Sequence, residues 1–247
     1  DLEESPIHVV VDGCTETVKV FRSKAETEKE SPRRQFLLLS HPWFKERTRQ
    51  SLYPNPLSRR KVLQFFSLWN QAVGKLLRRY SPDVFHCPDF HSAIAPWYAS
   101  PHHPQLRVLL VLHNAEYQGS ITTDMLTPSQ CRVMARIFDV SPDFVQRHLV
   151  TEGRFNMLKA GVDYLLQQQK GLGACAVSQH YAEECHARYS LFWQLPRICG
   201  LDNPMLEEER ASLAQDLARQ KAEAKARCQR AFGLKEDPAA RLFVSLG

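Results

Sequence analysis

Apolar and polar positions along the chain follow the two-residue period of strands and the longer period of helices, and the strand period comes first. Residues 7–11 and 17–21 are rich in β-branched residues and flank Asp12-Gly13, a pair typical of tight hairpin turns. Residues 35–40 form a short, continuous apolar run, which predicts a buried strand. The chain is therefore predicted to begin in β structure.

Helical and strand-like segments alternate after this point. Apolar residues recur at helical spacing from Val62 to Leu77, and Ser81-Pro82 should end that helix. Ser141-Pro142-Asp143 has the composition of a helix start, and a further helix is predicted over 155–169. Short apolar runs that read as strands occupy residues 83–86, 107–112 and 174–177. This order predicts an α/β fold with a parallel sheet.

The last forty residues differ in composition from the rest. Residues 205–232 are rich in Ala, Gln, Glu and Arg and precede Gly233, which predicts one long helix. Residues 241–247 resemble a strand that opens a new structural unit. We therefore expect a complete α/β domain over 1–204, a connecting helix over 205–236, and the start of a second domain at 237–247.

Composition narrows the class of protein. With 43% apolar and 24% charged residues in a chain of 247, a sizeable core is expected. The formal charge of +5 is spread along the sequence, so we predict no nucleic-acid partner. No apolar run reaches about 18 residues, so no membrane contact is expected within this segment. Seven cysteines without a CxxC pair suggest reduced thiols in the cytoplasm.

Three clusters of polar residues follow three of the predicted strands, at 86–91, 113–119 and 178–181. The carboxyl ends of parallel strands meet at one edge of a sheet, where ligands of α/β proteins bind. A sugar needs several polar contacts together with a flat apolar surface. The second cluster offers both, because it contains Asn114, Tyr117 and Gln118.

Other chemistries remain open for the first cluster. His86, Asp89 and His91 could hold a metal ion, as in a metallohydrolase, although no partner motif supplies further ligands. Cys87 or Cys175 could act as a nucleophile beside a histidine, but neither lies in a recognisable nucleophile motif.

Purely structural roles are also open. Asp89 and Ser92 could cap a helix that begins near His91. Asn114 and Gly119 could simply hold a turn.

Four ordered segments resemble those of glycogen and starch synthases. They are PDVFHCPDFHSA at 82–93, HNAEYQG at 113–119, FNMLKAG at 155–161 and AVSQHYAEE at 176–184. The segment HNAEYQG as a whole resembles in particular the synthase domain of cell-wall α-1,3-glucan synthases. The segment ARYSLFW at 187–193 is similar to that subgroup as well.

The resemblance implies a GT-B fold, in which two Rossmann-like domains face a cleft. The implied reaction is retaining transfer of glucose from a nucleotide-diphosphate glucose to a growing α-1,3/α-1,4-glucan. The expected donor is UDP-glucose. No cofactor or metal is implied, because the nucleotide sugar is a substrate. The implied partners are the glucan acceptor, the donor and a second Rossmann-like domain of the full-length chain. The implied location is the cytosolic face of a membrane.

Residue roles follow from the same resemblance. Asp89 and His113 would be the catalytic residues beside the transferred glucose. The residues implied to bind substrate are His86, His91, Asn114, Tyr117, Gln118, Gly119, Ser178, Tyr181 and Asn203.

The sequence also departs from the family pattern. The Lys-x-Gly-Gly loop and the Arg and Lys pair that meet the donor diphosphate in the family have no counterpart here, and Cys87-Pro88 replaces the usual residues before Asp89. We therefore expect the isolated 247-residue chain to show no synthase activity. The alternative hypothesis is a non-catalytic carbohydrate-binding or scaffold domain of the same fold.

Overall fold

An antiparallel and a parallel sheet form the framework of the larger part of the chain. The computed structural model describes residues 2–23, 35–56, 58–120, 125–204 and 217–243. Contacts divide the chain into two units, Asp1–Asp202 and Asn203–Gly247. The first unit holds both sheets.

The antiparallel sheet contains strands β1 (Leu2–Val11), β2 (Cys14–Arg22) and β3 (Leu37–Ser40), in that order. Asp12 and Gly13 connect β1 to β2 and both have positive φ, 53° and 78°, as a tight turn requires. The prediction of a buried strand at 35–40 is wrong in its burial. Strand β3 lies at the sheet edge, so only part of it is covered.

After the short helix α1 (Pro42–Lys45), the long helix α2 (Arg59–Tyr80) runs through the centre of the unit. Leu68 and Ala72 of α2 pack against the β1–β2 pair, whereas Phe66 and Leu77 belong to two other core clusters. The predicted helical period is confirmed, and Ser81 ends the helix in a left-handed conformation. Because α2 is covered on several sides, it can support loops far apart in sequence.

The remaining elements of this unit are β4 (Val84–Pro88), α3 (Ala95–Ala99), β5 (Arg107–Leu112), α4 (Pro128–Phe138), α5 (Pro142–His148), β6 (Val150–Thr151), β7 (Arg154–Phe155), α6 (Leu158–Gln169), β8 (Ala174–Ala176), α7 (Gln179–Arg188) and β9 (Cys199–Gly200). The second sheet has the order β4-β5-β8-β9, and all of its strand pairs are parallel. The predicted α/β class with a parallel sheet is confirmed. The three polar clusters follow the carboxyl ends of strands in this sheet, so they lie along one of its edges.

Local signals explain most helix boundaries. Ser141 caps α5 as predicted, because its side chain accepts the N–H of Phe144 at 3.0 Å. The helix predicted over 155–169 starts later, at Leu158, because Phe155 pairs with Val150 in the two-stranded β6–β7 sheet. Gly171, at φ +78°, follows the end of α6.

The second unit contains helix α8 (Leu217–Ala231), which ends before Gly233 at φ +64°. The amide of Gln229 donates to the carbonyl of Asp237 at 3.2 Å, so the segment after the helix folds back on it. Residues 205–216 of the predicted long helix, and residues 244–247 of the predicted final strand, lie outside the described residues. Across the described ranges, no helix has the length and apolarity to span a bilayer.

Candidate functional site

Asp89 lies directly after β4 and ties two loops together. Its Oδ1 accepts the backbone N–H groups of His113 at 2.8 Å and Asn114 at 3.1 Å, just beyond the end of β5. The N–H of Asp89 donates to the carbonyl of Val111 at 2.9 Å. Asp89 is 8% exposed and has φ +45°, a conformation that aspartate tolerates better than most residues. The first two polar clusters therefore form one structure.

The capping hypothesis for Asp89 and Ser92 is wrong. Helix α3 begins only at Ala95, and its first N–H groups, those of Ile94 and Ala95, donate to Oδ1 of Asn70 at 3.0 Å each. The hydroxyl of Ser92 instead accepts the indole N–H of Trp69 at 2.9 Å. Asp89 is thus free of a capping role in α3, and α2 supplies the cap.

His91 forms part of an aromatic wall. Its ring stacks on Phe90 with 4.1 Å between centroids, and its Nε2 lies 2.7 Å from the hydroxyl of Tyr53. Burial lowers the pKa of His91, although the charge of Asp89 and a hydrogen bond to Pro88 oppose that effect. The imidazole is therefore neutral at pH 7, and its Nε2 can accept a hydrogen bond from the Tyr53 hydroxyl.

These residues line a groove of about 710 Å³ at the carboxyl ends of β4 and β5. Aromatic side chains form its apolar surface, and Tyr117 is 69% exposed within it. Six residues predicted for the site line this groove, namely Asp89, His91, Asn114, Tyr117, Gln118 and Gly119. The volume is within the range of about 300–1,000 Å³ that is typical of small-molecule sites.

The other predicted site residues are placed differently. His86 is exposed on β4, and His113 is exposed at the end of β5, where its backbone is held by Asp89. Ser178 caps α7 by accepting the N–H of Tyr181 at 3.1 Å. Asn203 is the first residue of the second unit.

Tyr181 supports the groove from outside. Its hydroxyl accepts the N–H of Ala115 at 2.8 Å, in the loop that carries Asn114 and Tyr117. Burial, the largest cause, raises the pKa of Tyr181 to about 12, so the hydroxyl stays protonated at neutral pH. Tyr181 therefore orders the loop.

Residues 50–56 form a wall that the sequence does not predict. Tyr53 and Leu52 line the groove, and the guanidinium of Arg47 holds this segment by donating to the carbonyl of Tyr53 at 2.9 Å. From its sequence, the segment is interpreted only as a Pro-rich connection between elements. The signal that could have identified it is Tyr53, an aromatic residue next to Leu52 in a loop otherwise made of polar residues and prolines.

The metal and thiol hypotheses gain no support. Across the described ranges of the chain, no three His, Cys, Asp or Glu side chains are placed to hold a metal ion. Cys87 is fully buried, and burial raises the pKa of its thiol far above the usual range. Burial likewise raises the pKa of Cys175.

Comparison with known proteins adds to this geometry. A family model described as the starch synthase catalytic domain matches residues 2–195. The cell wall alpha-1,3-glucan synthase ags1 of Schizosaccharomyces pombe is 30% identical over 255 residues, covering 99% of this chain and 10% of that protein. The related mok13 of the same yeast is 34% identical over 169 residues, covering 68% of the chain and 7% of that protein.

A bacterial protein is also similar. Glycogen synthase 2 of Geobacter metallireducens is 30% identical over 157 residues, which cover 60% of this chain and 28% of that protein. The chain therefore spans about a tenth of the length of the α-1,3-glucan synthases that it matches.

Proposed function

Because the chain belongs to the starch synthase catalytic domain family, we propose that it is the acceptor-side domain of a glycosyltransferase that lengthens an α-glucan. The reaction forms a bond between the anomeric carbon of glucose and a hydroxyl of the acceptor, and it breaks the bond from that carbon to a nucleoside diphosphate. The anomeric configuration is retained. The donor is UDP-glucose, and the products are an α-1,3- or α-1,4-linked glucan and UDP.

One observation carries this proposal, which is the pairing of an immobilised carboxylate with an aromatic surface in a single groove. Oδ1 of Asp89 is occupied by two backbone N–H groups, whereas no hydrogen bond among the described residues uses Oδ2. The second oxygen can therefore accept a sugar hydroxyl without disturbing the loop. Tyr117 offers an exposed ring, and aromatic faces pack well on the apolar faces of sugars.

In this proposal Asp89 orients the acceptor and His113 contacts a hydroxyl of the transferred glucose. Asn114 and Gln118 supply donors and acceptors for further hydroxyls, because an amide offers both. The ring of His91, neutral at pH 7, forms part of the wall. No metal or cofactor is required, because basic side chains and backbone amides can neutralise a diphosphate leaving group.

The proposal includes a second Rossmann-like domain of the full-length protein, which closes the GT-B cleft and holds the nucleotide. It also places the domain on the cytosolic face of a membrane. Both statements rest on the family and on the similarity to cell wall synthases. The non-catalytic alternative is not favoured, because the matching family model describes a catalytic domain.

The test is transfer of labelled glucose from UDP-glucose to an α-glucan by the full-length protein. We expect the full-length wild type to transfer glucose and its Asp89→Asn variant to lose transfer. We expect the wild-type 247-residue chain alone to bind glucan without transferring glucose. Transfer that survives in Asp89→Asn would contradict the role of this carboxylate. Robust transfer by the 247-residue chain alone would overturn the need for a second domain.

A further inference from the structure

A second concave site lies away from the groove, towards the other end of helix α2. Phe66 of α2 lines the groove, whereas Lys75 lies about 13 Å farther along the helix axis. Lys75 lines a separate pocket of about 460 Å³, which we call the basic pocket. The two spaces share no lining residue. The volume of the basic pocket is within the range of about 300–1,000 Å³ that is typical of small-molecule sites.

Three segments that are distant in sequence bring positive or protonatable side chains to the basic pocket. Helix α2 contributes Lys75, Arg78 and Arg79. Strand β1 contributes His8, and the segment after α3 contributes His102. Among the residues that the structure describes, no aspartate or glutamate lines this pocket. A concave surface of one charge sign favours a ligand of the opposite sign, so the expected ligand is an anion.

Most of this positive charge is not used by the fold. Within the described part of the chain, the side chains of Lys75 and Arg78 make no hydrogen bond and no ion pair. Arg79 lies 3.5 Å from a carboxylate oxygen of Glu4, but that carboxylate also pairs with Arg22 at 3.1 Å. Lys75 and Arg78 therefore keep all of their N–H donors for a ligand.

The stability of α2 does not explain the arrangement. Arg78 and Arg79 lie in the last turn of the helix, where the helix dipole favours cations. Lys75 precedes that turn and is three and four residues away from the two arginines, a spacing at which like charges repel each other. His8 and His102 belong to other segments and contribute nothing to the helix end. An anion bound among these groups would relieve the repulsion.

A β-bulge shapes the wall opposite α2. The register of β1 on β2 shifts between Glu4 and Ile7, and Pro6, inside this shift, lines the basic pocket together with His8. Bulges bend a strand and redirect its side chains, and they are common beside ligand sites. Nδ1 of His8 lies 3.0 Å from the hydroxyl of Thr17, which orients the ring and leaves Nε2 for a ligand.

We propose that the basic pocket binds the phosphate group of a small molecule. Arg78 and Lys75 donate to the phosphate oxygens, because guanidinium and ammonium groups are the side chains that bind phosphate best. His8 and His102 offer further N–H donors. The phosphate can belong to a soluble metabolite or to the headgroup of a phosphorylated lipid, and the experiment separates these two sources. This inference is independent of the proposed function, since the basic pocket and the groove have no residue in common.

The experiment measures binding of two phosphate probes to the 247-residue chain. Calorimetry with inorganic pyrophosphate tests a soluble ligand, and co-sedimentation with phosphatidylcholine vesicles, with and without phosphatidylinositol phosphate, tests a lipid. We expect the wild type to bind a phosphate probe, and Lys75→Gln and Arg78→Gln each to lose about tenfold in affinity for it. Binding of pyrophosphate assigns a soluble ligand, whereas binding only of the phosphorylated vesicles assigns a lipid. A wild type that binds neither probe would overturn the proposal.

The controls separate a specific pocket from a general effect of charge. Arg132→Gln removes the same charge from an exposed arginine of α4 that has no hydrogen bond or ion pair among the described residues, and it should bind as the wild type does. If Arg132→Gln loses as much affinity as Arg78→Gln, binding follows net charge and the pocket is refuted. Lys75 is exposed, so Lys75→Gln should fold normally, which thermal unfolding checks. Full affinity in both pocket variants would also refute the site.

Discussion

Oδ1 of Asp89 accepts the backbone N–H of His113 at 2.8 Å, so the residue that ends one strand fixes the loop that follows its neighbour. The same oxygen accepts the N–H of Asn114 at 3.1 Å. An acidic side chain between two parallel strands therefore has a structural role in addition to its proposed contact with substrate. The two roles can be separated by substitution.

Asp89→Ala should lower the free energy of unfolding by about 1.5–3 kcal/mol, because two N–H groups lose a charged acceptor. Asp89→Asn should cost less, since an amide oxygen can still accept and asparagine tolerates positive φ. Urea unfolding of both variants measures the difference. Equal stability of Asp89→Ala and the wild type would show that these bonds do not order the loop.

Tyr117→Ala should weaken glucan binding about tenfold with little change in stability, because the ring is exposed and is expected to stack on the sugar. Trp193→Ala is the matched control, since Trp193 is 63% exposed and does not line the groove. Isothermal titration with an α-glucan oligosaccharide distinguishes the two variants. A similar loss in both would argue against a specific surface at Tyr117.

Tyr181→Phe should destabilise the fold by about 1–3 kcal/mol and also weaken glucan binding, because it leaves the buried N–H of Ala115 unpaired. The variant retains the ring and its packing, so any effect comes from the hydroxyl. Thermal unfolding and glucan titration are the two measurements. A stable variant with normal affinity would remove Tyr181 from the support of the groove.

Gly119→Ala should be more damaging than Gly13→Ala, although both glycines have positive φ, +68° and +78°. At Gly119 a Cβ would lie 2.7 Å from atoms of both Met157 and Phe90 in the core. At Gly13 it would meet only the end of the Arg136 side chain, at 3.2 Å, which can move. We expect an additional cost of about 1–3 kcal/mol at Gly119 in chemical denaturation. Equal costs would mean that backbone strain dominates at both positions.

The stability of the protein should fall in mildly acidic solution partly because of His91. Burial lowers the pKa of His91 below its ordinary value of 6.5, so between the two pKa values the unfolded chain binds a proton that the folded chain does not. The contribution of His91 is therefore complete above pH 6.5 and decreases as the pH falls from 6.5 towards the lowered pKa. His91→Phe should show a flatter dependence of the unfolding free energy on pH. Parallel curves for the two proteins would contradict this assignment.

Much of the fold is predictable from local pattern. The helical period from Val62 to Leu77 and the apolar run at 107–112 identify α2 and β5, because burial on a regular element leaves a regular signal. The position of β3 at a sheet edge is not predictable in this way. Burial depends on which strands become neighbours, and the apolar run at 35–40 contains no information about that.

The site is predictable to a smaller extent. Asp89, Asn114 and Tyr117 are identified because polar residues that follow parallel strands converge at one edge. Tyr53 is missed because it reaches the groove from a segment with no chemical motif. Ser178 is expected in the site from the family resemblance, and its hydroxyl accepts the N–H of Tyr181 at the start of α7.

The hydrogen bonds of Asn70 limit which segments can be exchanged between related proteins. It lies inside α2, yet its side chain accepts from Ile94 and Ala95 and donates to the carbonyl of His91 at 2.9 Å. The loop that carries the aspartate is thus secured by a residue about twenty positions earlier in the sequence. A chimera that imports only this loop from a relative would separate it from its anchor. The smallest transplantable piece contains the second half of α2 as well as the loop.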